Sequence, residues 1–426
     1  MPGNSAYWSA DASQIMRLEP QTAKKLQILE DYLVDWVVTL CAKNPRMENT
    51  LTIVDGFSGG GVYLDSNNVR IPGSPLRIIE AILKGLEDVK NKYGKPEFKL
   101  DWKLICIESH PDHFSCLRRS LDEFGFSGHE ASGRLELYSC DFKDKFEYCM
   151  DLVVRRKGHS FFFIDPFGYT QYSMEQIRRI MELPSSEVLL NFMIDFMARF
   201  VNSSGGKTRK VIDENLEASG YFSDAAPEDL EKGGKQLYLR NESLRLIRDK
   251  TRARYVYIFS LLKTETIVKY FLIHIANNQT AQQVMKKALW VHSNSSAVFG
   301  YQYGITGLSF LPVNVENEVQ FDLFDIYNGN QDRSLPDLFV QLMDVIERMS
   351  GGLTFRELEA GTIQSNPADR EIYSKCIEQM QKDGSIIKIR DRKPTKSKSV
   401  ELDDIIQRNP QLYFTFPSSR KDNPFQ

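Results

Sequence analysis

The stretch from Leu51 to Tyr63, LTIVDGFSGGGVY, constrains the fold of this chain more than any other. Its apolar, β-branched first half is typical of a buried parallel strand. Asp55 stands at the end of this predicted strand, and a turn with four glycines follows at once. Glycine has no Cβ atom, so the backbone can bend sharply there and approach a ligand closely. The stretch predicts a strand that delivers an acid and a ligand-binding turn to one sheet edge, although a tight turn without a ligand also fits it.

Strands alternate with helical patterns over the following residues, which predicts a mainly parallel α/β sheet. Further strands are expected at 103–108, 135–138, 161–164 and 187–193. Two long β-rich runs, 255–262 and 267–276, come next. The gap between them is too short for a crossover helix, so they are expected to close the sheet as an antiparallel hairpin.

The composition is that of a soluble globular protein. The 426 residues are 42% hydrophobic and 26% charged, as in ordinary globular proteins, and the net charge of −3 provides no overall basic field for nucleic acid. The six cysteines form no C-x-x-C pair, so we expect buried thiols and no metal site. There is no run of 18 apolar residues and no signal-peptide pattern. The sequence predicts a cytoplasmic protein without membrane contact.

Four regions follow from the patterning. Residues 1–45 are expected to form a loosely held leader and an amphipathic helix, and residues 46–300 the α/β domain. Residues 301–335, rich in Asn, Ser and Gly, are expected to be a linker. In residues 336–426 the predicted order is helix, short strand, helix, helix and hairpin, with 411–416 pairing to a strand at 385–389. That order is typical of a winged helix-turn-helix domain.

The first turn reads D-x-F-S-G-x-G and resembles motif I of class I S-adenosylmethionine (SAM) methyltransferases. Those enzymes also have a sheet that ends in a reversed hairpin. The resemblance implies a Rossmann-like class I SAM methyltransferase sheet and SAM as the cofactor. It implies that Asp55, Gly56, Phe57, Gly59 and Gly61 hold the methionine end of SAM.

Acids also follow the next two predicted strands. Glu108 is placed to bind the ribose hydroxyls of a nucleoside. Asp141 and Phe142 are placed to hold its adenine by the amino group and the ring face. Charged residues at strand ends are mostly solvated, so each is a weak signal by itself. The distance from Gly56 to Glu108 exceeds the spacing of about 20 residues in nicotinamide-binding motifs, which argues against NAD unless an insertion explains it.

The tip of the fourth predicted strand is the second candidate for chemistry. Asp165-Pro166-Phe167-Gly168 resembles the D-P-P-Y motif of amino-group methyltransferases. The resemblance implies that Asp165, Pro166 and Phe167 form the catalytic site and present the acceptor. This chain departs from the motif at its third and fourth positions, which puts base stacking and amine chemistry in question. An X-Pro sequence that only terminates a strand is the alternative.

Asn191, Asp195 and Arg199 recur at intervals of four residues after the fifth predicted strand. They are placed to line the substrate side of the cleft, but Asp195 and Arg199 fit a helical ion pair better.

Basic residues cluster near the end of the chain. Lys388, Arg390 and Arg392 are the candidate contacts to DNA or RNA in the predicted wing. Acidic neighbours dilute this charge, so a role in protein docking is equally consistent with it.

Several motifs together resemble the family of three-Cys-motif partner proteins (TcmP), over about residues 20–300. These motifs are Leu26-x-x-Leu29-x-x-Tyr32-Leu33, Val54–Tyr63, Gly73-Ser74-Pro75, Ile107-Glu108, Phe163–Gly168 and Leu190–Met193. The resemblance implies a methyltransferase-like domain with a C-terminal winged helix. It also implies a partner protein with a three-cysteine, radical-SAM-like motif.

The function expected from these observations is SAM-dependent methylation of a nucleic acid or nucleotide, together with the three-cysteine partner. The alternative is an inactive SAM-fold scaffold that binds the partner, nucleic acid or both. The altered D-P-F-G sequence favours that alternative.

Overall fold

A computed structural model describes residues 7–193, 207–222, 232–264, 267–293, 325–349, 351–366 and 368–410. The described residues up to Ser293 belong to one compact unit, and those from Asp325 onward belong to a second. The predicted linker lies outside the described residues up to residue 324, and its remainder belongs to a helix.

The first unit contains alternating helices and strands, as the sequence predicted. Its described helices are α1 (Pro20–Cys41), α2 (Ser74–Asn91), α3 (Pro111–Glu123), α4 (Gly128–Ala131), α5 (Phe142–Arg156), α6 (Met174–Glu182), α7 (Lys207–Leu216), α8 (Lys232–Thr251) and α9 (Gln279–Ser293). Its described strands are β1 (Glu48–Asp55), β2 (Val62–Leu64), β3 (Arg70–Pro72), β4 (Lys99–Ile107), β5 (Leu135–Tyr138), β6 (His159–Ile164), β7 (Ser186–Phe192), β8 (Tyr255–Thr264) and β9 (Ile267–Ala276). Helix α8 and the small hairpin β2–β3 were not predicted.

Seven of the described strands form one sheet in the order β5-β4-β1-β6-β7-β9-β8. Pairing is parallel from β5 to β7, whereas β9 is antiparallel to both β7 and β8. Numbered along the chain, these strands lie in the order 3-2-1-4-5-7-6. The predicted mainly parallel sheet with a closing antiparallel hairpin is confirmed.

The local sequence explains how these elements form. The last five residues of β1 are all buried, as expected for a central strand covered on both faces. A capping box begins α6, with the Ser173 hydroxyl accepting from the Gln176 N–H. Gly73 is the N-cap of α2, and Pro75 lies in its first turn, where a missing N–H costs no helical hydrogen bond.

The second unit follows the predicted order of elements. Its described elements are α10 (Asp325–Arg348), β10 (Leu353–Thr354), α11 (Phe355–Thr362), α12 (Arg370–Lys382), β11 (Ile386–Arg390), β12 (Lys393–Pro394) and β13 (Ile405–Arg408). The sheet order is β10-β13-β11-β12. The long-range partner of β11 is therefore β13, whereas the predicted partner, 411–416, lies outside the described residues.

Candidate active site

Four polar side chains lie where neighbouring strands of the first sheet end. Asp55 is the last residue of β1, Glu108 follows β4 and Asp165 follows β6. Asn191 lies one residue before the end of β7. These strands are parallel, and β4 and β6 flank β1, so the four side chains share one sheet edge. The edge contains the switch point at which α/β sheets bind ligands.

Asp55 is fully buried, and one of its carboxylate oxygens is unsatisfied. Its Oδ1 atom accepts a hydrogen bond from the N–H of Phe57 at 3.3 Å, whereas Oδ2 has no partner among the described residues. Burial raises the pKa of Asp55 to about 7, although the nearby Ser74 side chain and the Phe57 N–H act to lower it. The negative charge of Asp165 adds to the effect of burial. A buried carboxyl oxygen without a partner is costly. This atom is well suited to contact a cationic group of a ligand.

The glycine-rich turn is held by hydrogen bonds from its backbone. The N–H of Gly56 donates to the carbonyl of Phe163 at 3.0 Å, and the N–H of Gly59 donates to Oε2 of Glu108 at 2.9 Å. Gly59 and Gly61 have φ angles of +59° and +80°, which side chains with a Cβ atom rarely adopt. The turn is therefore a fixed part of the fold at this edge.

Packing inside the protein accounts for these glycines. A Cβ atom on Gly60 would overlap the indole of Trp8. A Cβ atom on Gly56 would lie 3.0 Å from the ring of Phe142. The predicted space for a ligand beside the glycines is filled by side chains in the structure. The glycine pattern alone is therefore no sign of a ligand.

The N-terminal segment is not a loose leader, and that expectation is wrong for its described residues. Trp8 is buried, and its Nε1–H donates to the carbonyl of Val62 at 2.5 Å. The N–H of Leu64 donates to Met16, and the N–H of Leu18 donates to Leu64, at 2.9 and 2.8 Å. The N-terminal segment thus packs and hydrogen-bonds against β2 of the hairpin that follows the turn. The hairpin was not predicted, so this contact was missed.

Glu108 points toward the turn and binds its backbone, and its role at a ribose stays a prediction. Its Oε1 atom accepts the N–H of His110 at 2.8 Å, and Oε2 accepts the N–H of Gly59. Nδ1 of His113 lies 3.6 Å from Oε1. Each carboxylate oxygen has two acceptor positions, so Glu108 keeps acceptor capacity beside its structural bonds.

Of the two predicted adenine contacts, Asp141 is exposed and Phe142 is buried. Asp141 is exposed and is the N-cap of α5. Phe142 is buried, with its ring centroid 5.6 Å from that of the half-buried Phe57. Phe142 supports the turn at Gly56 from inside the core, so its ring face is covered by protein and not offered to a base.

At the tip of β6, Asp165 is already engaged by two other side chains. Lys25 of α1 forms an ion pair with Oδ2, and Nδ2 of Asn191 donates to Oδ1 at 2.6 Å. Pro166 is buried, whereas Phe167 is 56% exposed. Sequence reasoning missed Lys25. The signal was present, since Lys25 shares the helical spacing of Leu29 and Tyr32 on the buried face of α1.

Two tyrosines complete this edge and were also missed. Burial raises the pKa of Tyr63, and the negative charges of Asp165 and Asp55 raise it further. Tyr270 of β9 is buried near Lys25, whose Nζ lies 5.3 Å from the ring centroid. The edge thus combines three acids, one paired lysine and two phenols. Asp195 and Arg199 lie outside the described residues.

In the second unit, two of the three predicted nucleic-acid contacts are used within the fold. Lys388 is buried, and its Nζ donates to the carbonyls of Ser397 and Ser399 at 2.6 and 2.7 Å. Arg390 binds both carboxylate oxygens of Asp404. We therefore remove Lys388 and Arg390 from the candidate contacts. Arg392 is exposed between β11 and β12 and stays a prediction.

Comparison with known proteins adds little. No protein-family model matches the chain, and no curated protein matches it. Among solved structures it is similar to a dimethyladenosine transferase from Plasmodium falciparum, with 9% sequence identity and a TM-score of 0.25. The match covers 82% of this chain and 96% of that chain. At this TM-score the likeness carries no argument, so the description of the sheet depends on its own strand order and pairing.

Among the described residues, no helix combines the length and the hydrophobicity that spanning a membrane requires. Within the same ranges, no group of three or more His, Cys, Asp or Glu side chains is placed to hold a metal ion.

Proposed function

We propose that the first unit is a SAM-dependent methyltransferase. The observation that carries this proposal is the order of the sheet, in which β9 alone runs against the other strands. Dinucleotide-binding sheets have the order 3-2-1-4-5-6 and lack this reversed strand. The unpartnered Oδ2 atom of Asp55 supports a cationic ligand at the switch point, within the described part of the chain. SAM is such a ligand, since it carries a sulfonium and an ammonium group.

The side chains at the edge fit that cofactor. Asp55 would bind the ammonium group at the methionine end, where the turn from Gly56 to Gly61 begins. Glu108 would accept hydrogen bonds from the ribose hydroxyls, and Asp141 remains available to the adenine amino group. Bound SAM supplies an electrophilic methyl group. The task of the protein is then to hold the acceptor in line with it, which can supply much of the rate.

For the acceptor we propose a nucleic acid or nucleotide, presented by Asp165, Pro166 and Phe167. The exposed ring of Phe167 beside Asp165 supports this choice, because an exposed aromatic residue at a cleft can stack on a base. Asp165 would accept a hydrogen bond from the acceptor atom. The altered motif does not prevent this, since Phe167 offers the ring that the fourth position lacks.

We further propose that the second unit is a winged helix and that a three-cysteine-motif protein is a partner. The order of elements in the second unit supports the first proposal, and the family resemblance of the motifs supports the second. Co-purification of the tagged chain with the three-cysteine protein tests the partner. A salt titration of DNA and RNA binding with Arg392→Ala tests the wing: loss of one phosphate contact should lower the salt slope by about 1. An unchanged slope would leave protein docking as its role.

A catalytically inactive scaffold is the second candidate, and two observations favour it. Trp8 covers Gly60 of the turn, and Lys25 already pairs with Asp165. In an active enzyme the turn would contact the cofactor and Asp165 would contact the acceptor, whereas here both already contact other side chains of the protein.

Calorimetry with SAM and with its demethylated product separates these functions. We expect the wild type to bind both, and Asp55→Asn to weaken SAM binding about 10–100-fold through loss of a charged hydrogen bond. Asp122→Asn, an exposed acid of α3, is the matched control and should bind as the wild type does. Absence of binding to either compound would remove the cofactor. Binding without transfer of a labelled methyl group to DNA, RNA or the partner would establish the scaffold.

A further inference from the structure

The carboxylate of Asp165 is fixed from two sides. Nζ of Lys25 pairs with Oδ2, and Nδ2 of Asn191 donates to Oδ1 at 2.6 Å. Because the two donors approach different oxygens, they fix both the plane and the direction of the group. Charge-assisted bonds of this kind are the stronger class of protein hydrogen bonds.

Exposure differs among these three side chains. The side chain of Lys25 is 5% exposed, that of Asp165 is 18% exposed, and Asn191 is buried. Lys25 is also held beside the ring of Tyr270, 5.3 Å from its centroid. Solvent, and therefore a substrate, reaches Asp165 first. Lys25 lies behind it and acts on a substrate through it.

A second oxygen at this edge is available. Oδ1 of Asn191 is buried and accepts no hydrogen bond from any described residue. The carboxylate of Asp165 and this amide oxygen are therefore neighbouring acceptors, because Nδ2 of the same amide contacts Asp165. Two acceptors match a group with two N–H bonds better than a hydroxyl, which has one.

Charge restricts the group further. Lys25 already balances the charge of Asp165, so a cationic acceptor would meet the ammonium of Lys25 at short range without a free carboxylate to compensate it. Alkyl amines are protonated near pH 7, since their pKa is about 10. Amino groups on unsaturated rings are neutral at that pH and have a lone pair that can attack.

We propose that Lys25 is a positioning residue of the acceptor site and that Asn191 both holds Asp165 and offers a second acceptor oxygen. They hold Asp165 so that its carboxylate and Oδ1 of Asn191 accept the two N–H bonds of a neutral ring amino group. This inference depends on the proposed function, because the acceptor is a methyl acceptor. It makes α1, which lies outside the motif-bearing strand ends, a part of the site.

The test uses the full chain and four variants. Lys25→Met removes the charge at similar length, Lys25→Arg keeps it, and Lys24→Met changes the preceding lysine of α1 as the matched control. The double variant Lys25→Met/Asp165→Asn leaves no unpaired charge and shows whether loss of folding explains a result. For each protein we would measure the unfolding free energy, the Kd of SAM, and the rate of labelled methyl transfer. The acceptors are poly(A), poly(C) and poly(G), with poly(U) and poly(dT) as matched acceptors without an amino group.

We expect Lys25→Met to keep the wild-type Kd of SAM within about threefold and to lower methyl transfer about 100-fold, as for loss of a positioned electrostatic group. Lys25→Arg should retain more transfer than Lys25→Met, and Lys24→Met should match the wild type. Label in poly(U) or poly(dT) would overturn the substrate class. Wild-type transfer by folded Lys25→Met, or loss of SAM binding by that variant, would overturn the positioning role.

A crystal structure of Lys25→Met gives a second measurement that needs no acceptor. We expect the Asp165 carboxylate to turn away from its wild-type direction, and an unchanged direction would overturn the proposal. If the wild type does not bind SAM, the proposed function and this proposal fall together, and the direction of Asp165 then tests only the ion pair. If it binds SAM and the carboxylate of the variant is unchanged, this proposal alone fails.

Discussion

Asp55 in the first unit and Asp404 in the second are both aspartates in the core, and their surroundings differ. Both oxygens of Asp404 accept from Arg390, at 2.7 and 2.8 Å, and Oδ2 also accepts the N–H of Glu401. Oδ2 of Asp55 has no partner anywhere in the described ranges. The comparison separates two uses of a buried acid. Asp404 is satisfied by the fold, whereas Asp55 leaves an oxygen that no described protein group satisfies.

The pKa values of the two groups move in opposite directions. Burial raises the pKa of Asp55 to about 7. Burial also acts to raise the pKa of Asp404, but the hydrogen bonds and charge of Arg390 outweigh it and lower the pKa. The contribution of Asp55 to stability is therefore present below its unfolded pKa and is lost as pH rises toward 7. That of Asp404 is present above its unfolded pKa and is lost as pH falls through its lowered folded pKa.

The largest effect is expected from Trp8→Ala, which opens the closed side of the turn next to Asp55. Truncating a buried aromatic residue should lower the free energy of unfolding by about 3–5 kcal/mol. Urea unfolding measures this change. Tyr93→Ala, at an exposed aromatic residue, should cost less than about 0.5 kcal/mol. A similar small loss for Trp8→Ala would mean that the segment is not packed on the turn.

Asp404→Asn should lower the free energy of unfolding of the second unit by about 2–3 kcal/mol at pH 8, because Arg390 loses its charged partner. The loss should become smaller at acidic pH, where the wild-type acid is protonated too. Unfolding followed at several pH values measures both features. An Asp404→Asn protein as stable as the wild type at pH 8 would abolish the contrast with Asp55.

Asp55→Asn should have the opposite sign. At pH 8 it should raise the free energy of unfolding in the absence of ligand by about 1–2 kcal/mol, because it removes a buried charge that lacks a partner. The gain should fade below pH 4, where the wild-type acid is protonated in both states. In the wild type, SAM affinity should rise between pH 6 and 8 as Asp55 loses its proton. Calorimetry between pH 6 and 8 measures the Kd of SAM, and a Kd that does not change with pH would contradict the prediction.

The smallest effect is expected from Gly361→Ala in α11. In the described part of the chain nothing lies within 4 Å of the added Cβ atom, and helical alanine is favoured over glycine. The second unit should gain about 0.5–1 kcal/mol in thermal or urea unfolding. A lower free energy of unfolding would show that the unit is packed more tightly around Gly361 than its geometry indicates. Asp404 would then be a poorer reference for a satisfied buried acid.

Local patterns in the sequence predicted much of the first unit. The strands and the closing hairpin depend on periodicity and on the length of the gap between neighbouring strands. The placement of Asp55, Glu108 and Asp165 at one edge also followed, because each ends a strand of one parallel sheet. In the second unit the order of elements was visible in the same way.

Contacts over long sequence distances were decided only by the tertiary structure. Lys25 and Asp165 are 140 residues apart, and Trp8 packs on a turn some 50 residues away. The same holds for Lys388, which reads as a basic surface residue in the sequence but is buried with its ammonium on two carbonyls. The sequence by itself determined which residues end the strands and which glycines form the turn. Tertiary packing decided whether each polar group there is satisfied, because hydrogen-bond partners are set by distance in space.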